Sequence, residues 1–283
     1  MTDAMTGCKK GCILLIVEGK KREPELFKHV FSVLGLKDEP DIFPVGTTIH
    51  AFFEYLTSEY DDELDNPDLE SALIDFLASR GPRSQEGINE LAALQTGHYT
   101  DVALIFDFDP QDNRFDPLLL KKLQAVYNES TELGQLYINY PMLESYCDFR
   151  YLGDYSFLDE TVELNDVKGS AYKELVASKN QSMVNIKQLN GKTVAAILAM
   201  HISKIQYLID GVDKRAIVFE SCKHVGSLCN QAYSCDLEKV LNYECGLLNE
   251  MGEVATINTC LLFFTAWEKH LDGCWRNYCN QDR

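Results

Sequence analysis

CILLIV (Cys12–Val17), followed at once by Glu18-Gly19, decides the reading of this chain. The run is apolar from end to end, with Ile13, Ile16 and Val17 branched at Cβ, which fits a strand covered on both faces in a parallel sheet. A helix is expected next, because Pro24 suits the first helical position and Leu26, Phe27, Val30, Phe31 and Leu34 form a stripe that stops at Gly35. DIFPV (Asp41–Val45) reads as a second, short strand near a sheet edge, since Pro44 has no N–H to give to a ladder. Residues 48–95 read as a helical insertion, broken by an acidic loop and by Gly81-Pro82.

Outward from there the pattern repeats. DVALIF (Asp101–Phe106) is another buried strand, and it runs directly into Asp107-Phe108-Asp109-Pro110. Asp116 is placed to cap a helix that opens on Pro117 and carries Leu119, Leu120, Leu123 and Val126. QLYIN (Gln135–Asn139) is a further strand, and Pro141–Cys147 is expected to start a helix. Strands alternating with helices through residue 150 specify an α/β fold, a mostly parallel sheet with flanking helices. Beyond residue 150 the strand signal fades. Val194, Ile197, Leu198, Ile202, Ile205 and Leu208 form one helical stripe, and Ile257, Leu261, Phe264, Leu271 and Tyr278 a second. A mainly helical region, 151–283, is therefore expected after an α/β domain at 1–150.

The 283 residues carry 26 Lys and Arg against 44 Asp and Glu, a formal charge of −18. Residues 1–150 account for −14 of it and residues 151–283 for −4. Between Lys37 and Arg80 there are twelve acids and neither Lys nor Arg. Sequence-independent adhesion to nucleic acid draws its affinity from Lys and Arg, so such a substrate must be held by local cations or through metal ions. The longest apolar stretches fall short of the ~20 residues of a membrane-spanning helix. No secretory h-region follows Lys9 and Lys10, so a cytoplasmic location away from membranes is expected. The ten cysteines include no Cys-x-x-Cys pair, and read as reduced thiols packed as small hydrophobes.

Three acidic positions fall where strands end, and in open parallel sheets ligands bind beyond the carboxyl ends of strands. They are Glu18, the pair Asp107 and Asp109, and Glu144 shortly after the Gln135–Asn139 strand. Neighbouring strands lie about 4.8 Å apart, so carboxylates ending them can share a cation. An oxygen-only set without histidine selects Mg²⁺ or Mn²⁺ over Zn²⁺. Glu23 is a further candidate ligand, with Glu25 as a substitute. Gly19 permits a tight turn, and Lys20, Lys21 and Arg22 put cations at a helix start, where a phosphate is favoured.

The order LLIVEGKKREPELF, ALIFDFDPQD, INYPMLESY resembles the TOPRIM (topoisomerase/primase) fold, and within it the RloB-like and overcoming-lysogenisation-defect branches associated with phage defence. The motif positions are Glu18, Glu23, Asp107 with Asp109, and Pro141 with Glu144, and the resemblance covers residues 12–150. It implies a Mg²⁺- or Mn²⁺-dependent nuclease cutting DNA or RNA, tRNA included, by in-line attack. Glu18, Asp107 and Asp109 would hold the ions, Glu23 and Glu144 would complete the shell, and Lys20 or Lys21 would offset charge on the phosphorane or protonate the leaving group. The insertion and the acidic balance depart from simpler members. The chain has no Gly-x-x-x-x-Gly-Lys-Ser/Thr motif, so the resemblance implies a separate ATPase or sensor protein as partner; self-assembly is left open. Two other readings stand beside it. One is a haloacid-dehalogenase-like phosphatase, whose nucleophile and acid the Asp-Phe-Asp motif also fits. The other is a non-catalytic metal-binding regulatory or assembly protein that docks through the acidic stretch 54–75.

Overall fold

Four parallel strands and one short antiparallel strand form the central sheet of the computed structural model, which describes residues 12–37, 39–59, 69–80, 87–89, 99–131, 133–214 and 235–267. The strands are β1 (Cys12–Val17), β2 (Asp41–Pro44), β3 (Tyr99–Asp107), β4 (Asn128–Glu129) and β5 (Gly134–Asn139), in the order β2-β1-β3-β5-β4. β2, β1, β3 and β5 run parallel, and β4 closes one edge antiparallel to β5. This is a Rossmann-like α/β sheet. β2 takes the other edge, where the missing N–H of Pro44 breaks no ladder.

The helices cover both faces, and strand register shows which covers which. Tyr137 pairs with Ile105, so both point to one face; Phe106 pairs with Ile138 and points to the other. Helix α1 (Arg22–Val33) lies on the Tyr137 face through Phe27 and Phe31, which pack on Phe264 and Phe263; Phe263 in turn meets Tyr137. Helix α2 (Ile49–Glu59) covers the opposite face, with Phe52 and Phe53 against Phe106. Helix α3 (Leu69–Ser79) packs on α2 through Phe76. Helix α4 (Pro117–Val126) starts as its sequence requires: Pro117 is the first residue and the Asp116 carboxylate accepts from the amides of Leu118 and Leu119 at 2.9 and 3.2 Å.

The second half is helical where the Val194–Leu208 stripe predicts it, with α7 spanning Gly191–Leu208. Helices α5 (Ala171–Lys179), α6 (Gln181–Val184) and α8 (Leu237–Met251) complete the helical part. The second expected stripe is corrected. Glu253–Ala255 is a strand, β7, paired antiparallel with β6 (Thr161–Glu163), and Cys260–Trp267 is a 3-10 helix. Ile257 is not helical at all: its amide and carbonyl exchange hydrogen bonds with Tyr140 at 2.9 and 2.8 Å. Leu271 and Tyr278 lie outside the described residues. The helix expected over Pro141–Cys147 is a 3-10 turn, Leu143–Cys147.

Buried apolar side chains from Ile13 to Phe264 form one continuous cluster that crosses residue 150. Cys147, Cys245 and Cys260 are buried free thiols, as a reduced, hydrophobic role requires.

Candidate functional site

The turn of the sheet order places the site. The chain leaves β1 to one side for β2 and returns to the other side for β3, so the carboxyl ends of β1 and β3 flank the point where a crevice opens in such sheets. Glu18 follows β1 and Asp107 ends β3. Their meeting is written in the backbone: the Glu18 amide donates to the Ile105 carbonyl at 3.0 Å, and the Asp107 amide donates to Glu18 Oε2 at 3.1 Å.

Glu23 arrives from the first turn of α1, almost fully buried, and its Oε1 accepts from the Gly19 amide at 3.1 Å. A Cβ on residue 19 would stand 2.3 and 2.7 Å from the two Glu23 oxygens, so any side chain there would displace the Glu23 carboxylate. Glu144 comes from the 3-10 turn after β5. It is also almost fully buried, with Oε1 paired to Lys173 Nζ at 3.4 Å and Oε2 without any hydrogen-bond partner.

The electrostatics confirm that these acids share one environment. Burial raises the Glu18 carboxyl to about 8; the Asp107 amide opposes the rise, and the charges of Glu23 and Asp109 add to it. Asp107 is pushed well above the ordinary aspartate value, by burial first and then by Glu18, Glu23 and Glu144. Glu23 is raised by burial and by Glu144. Glu18, Glu23, Asp107 and Glu144 therefore feel one another, and the charge of Asp109 acts on Glu18.

Asp109 sits just outside this group with φ at 41°, a left-handed conformation uncommon for a residue with a side chain. Gln111 Nε2 donates to its Oδ1 at 3.3 Å.

Lys20 and Lys21 are exposed, and the Lys20 side chain runs across Gly46. Arg22 turns away to the Val184 carbonyl and to Tyr146 Oη. The cation that pulls Glu18 and Glu23 down is Lys173, on α5. No motif marks Lys173 in the sequence. Asn139 is a second residue the sequence reading passed over. Fully buried, it places Nδ2 3.5 Å from Asp107 Oδ1 and accepts the Cys260 amide at 3.2 Å through Oδ1. An amide directly after the apolar run Leu136–Ile138 was the available signal.

Every donor in the group is a carboxylate oxygen, and Glu144 Oε2 is buried without a proton donor, so the chemistry fits a hard divalent cation. Among the described residues, however, no three His, Cys, Asp or Glu side chains are placed so that they could hold one ion between them. Glu18 and Glu23 each commit an oxygen to a backbone amide.

A separate cavity of about 320 Å³ lies in the second half, lined by Asp148, Phe149, Arg150, Phe157, Glu160 and Lys179 among others. Its charged groups answer one another: Arg150 pairs with Asp154, and Lys179 with Asp148 and Glu160. Among the described residues no helix is long and apolar enough to cross a membrane. The chain matches no protein-family model, no curated protein and no solved structure.

Proposed function

We propose that this chain is a TOPRIM-type, metal-dependent nuclease that hydrolyses phosphodiester bonds in DNA or RNA. The observation that carries the reading is the convergence of Glu18, Glu23, Asp107 and Glu144 at the carboxyl edge of the sheet, with mutual repulsion that a divalent cation would relieve. Glu18, Asp107 and Asp109 are the proposed ligands, with Glu23 and Glu144 completing the set.

When bound, Mg²⁺ or Mn²⁺ would neutralise the phosphate and acidify the attacking water. The chain's own residues supply the rest. Asn139 holds the Asp107 carboxylate from one side, and the buried Cys260 amide fixes the Asn139 side chain in turn. Lys173, half exposed beside Glu144, can meet a phosphate as well as a carboxylate. Lys20 and Lys21, exposed where α1 starts, would offset charge on a phosphate. A role in phage defence alongside a separate ATPase or sensor rests on the sequence resemblance.

The test is cleavage by the purified chain, alone and with any co-purifying protein, of DNA and RNA panels in Mg²⁺, Mn²⁺ or EDTA. Cleavage that needs the metal and vanishes in Asp107→Asn supports the reading. Turnover that persists in EDTA or in the variant removes it.

A further inference from the structure

The loop that carries Asp109 is held by two side chains that lie outside the acid cluster. His50, buried on α2, places Nε2 at 2.9 Å from the Phe108 carbonyl and 3.2 Å from the Asp109 carbonyl. A carbonyl can only accept, so Nε2 carries the proton and donates to both. The ring is fixed edge-to-face against Phe115, whose other edge contact is Phe108. From the other side, Gln111 Nε2 donates to Asp109 Oδ1 at 3.3 Å and to the Val167 carbonyl at 3.0 Å. That orientation leaves Gln111 Oε1 buried with no donor. Flipping the amide would set its oxygen against two acceptors, so the Asp109 and Val167 oxygens dictate it despite the unpaired atom.

We propose that His50 and Gln111 are positioning residues for Asp109, holding its backbone in the left-handed conformation and fixing the direction of its carboxylate. The inference rests on the nuclease reading and deepens it. His50 sits in the stretch that the sequence marks as a helical insertion, and Val167 in the 3-10 turn Leu164–Val167 of the second half. The Asp109 loop is thereby clamped between two segments that the motif-bearing strands do not include. The Asp112 amide also donates to the Asp109 carbonyl at 3.1 Å, so the two side chains add to a turn that the local chain begins, around a φ of 41° that a residue with a side chain seldom takes.

The experiment compares His50→Phe, His50→Gln and Gln111→Leu with the parent chain by two readouts. The first is amide hydrogen exchange in the metal-free protein, resolved over residues 105–115. The second is Mn²⁺ affinity by electron paramagnetic resonance. His50→Phe keeps a ring and loses the donor, whereas His50→Gln restores an amide N–H near the Nε2 position. The expected result is faster exchange confined to the Asp109 loop and Mn²⁺ binding weakened by roughly 10-fold in His50→Phe and Gln111→Leu, with recovery in His50→Gln. Gln111 is only partly buried, so its variant keeps the test open if His50→Phe does not fold. Exchange and affinity within twofold of the parent in both disruptive variants would overturn the proposal, as would exchange that rises evenly through the sheet. A parent chain that binds no Mn²⁺ and cuts nothing sinks the nuclease reading instead, and the exchange comparison still decides whether the clamp exists.

Discussion

Glu18, Glu23 and Asp107 are each easier to protonate in the folded chain than in an unfolded one, and the sign of the consequence follows. Their favourable contribution is complete below the unfolded values, 4.5 for the glutamates and 3.8 for Asp107, and is lost as pH rises, for Glu18 through about 8. Metal-free protein with Glu18→Gln should therefore match the parent near pH 5 and exceed it at pH 8 by a few kcal/mol at most, read as thermal midpoints in EDTA. Added Mg²⁺ should raise the parent's midpoint at pH 8 more than the variant's. A parent whose advantage over the variant grows with pH would contradict the shared acid environment. Gly19 gives a purely steric test. The 2.3 Å approach of a Cβ to Glu23 Oε2 forces the glutamate out in Gly19→Ala, so Mn²⁺ affinity should fall by roughly 10-fold while the far-ultraviolet spectrum is unchanged.

At the scale of elements, each acid is delivered by a different device. β1 and β3 pair up to Val17 and Ile105 and the Asp107 amide then takes the Glu18 carboxylate, the first turn of α1 folds Glu23 back to Gly19, and the 3-10 turn after β5 presents Glu144. Helix α5 answers with one cation. Because Lys173 competes with a divalent ion for the same carboxylates, Lys173→Gln should tighten Mn²⁺ binding by about threefold, a modest figure because the lysine is half exposed. Cleavage should fall in the same variant, since a phosphate contact is lost. Weaker Mn²⁺ binding in titration calorimetry would show that Lys173 supports the site by packing and not by charge. β1, β3 and β5 were legible because parallel strands buried on both faces need continuous apolar runs. β6 and β7, three residues each, carry no such run, and the Cys260–Trp267 segment is apolar all round, so its period could not separate a 3-10 turn from an α-helix.

For the whole molecule, the charge of −18 and the twelve-acid stretch between Lys37 and Arg80 oppose a long polyanion, so grip must come from a few cations and metal at the sheet edge. The two halves of the chain complete one another. Phe264 packs on Phe27 and Phe31, Ile257 pairs with Tyr140, and the Thr259 hydroxyl donates to the Ile138 carbonyl at 2.8 Å. A fragment ending at residue 150 would expose the α1 face and leave the end of β5 without these partners. It should therefore give no cooperative unfolding transition in urea, where the full chain gives one. A cooperative transition in the fragment would mean that the α/β half folds independently.

The sequence by itself determined the α/β class, the strand order in time and the acids that end strands, because apolar runs and turn residues are local signals that survive without knowledge of the partner. Tertiary structure alone decided the rest. Asn139 becomes a support for Asp107 only because β3 and β5 are neighbours in register, and Lys173 reaches Glu144 only because α5 packs beside the turn after β5. His50 reaches the Asp109 loop across 59 positions of chain. Contacts of that separation depend on how faces pack, and no period or spacing in a single chain records which faces meet.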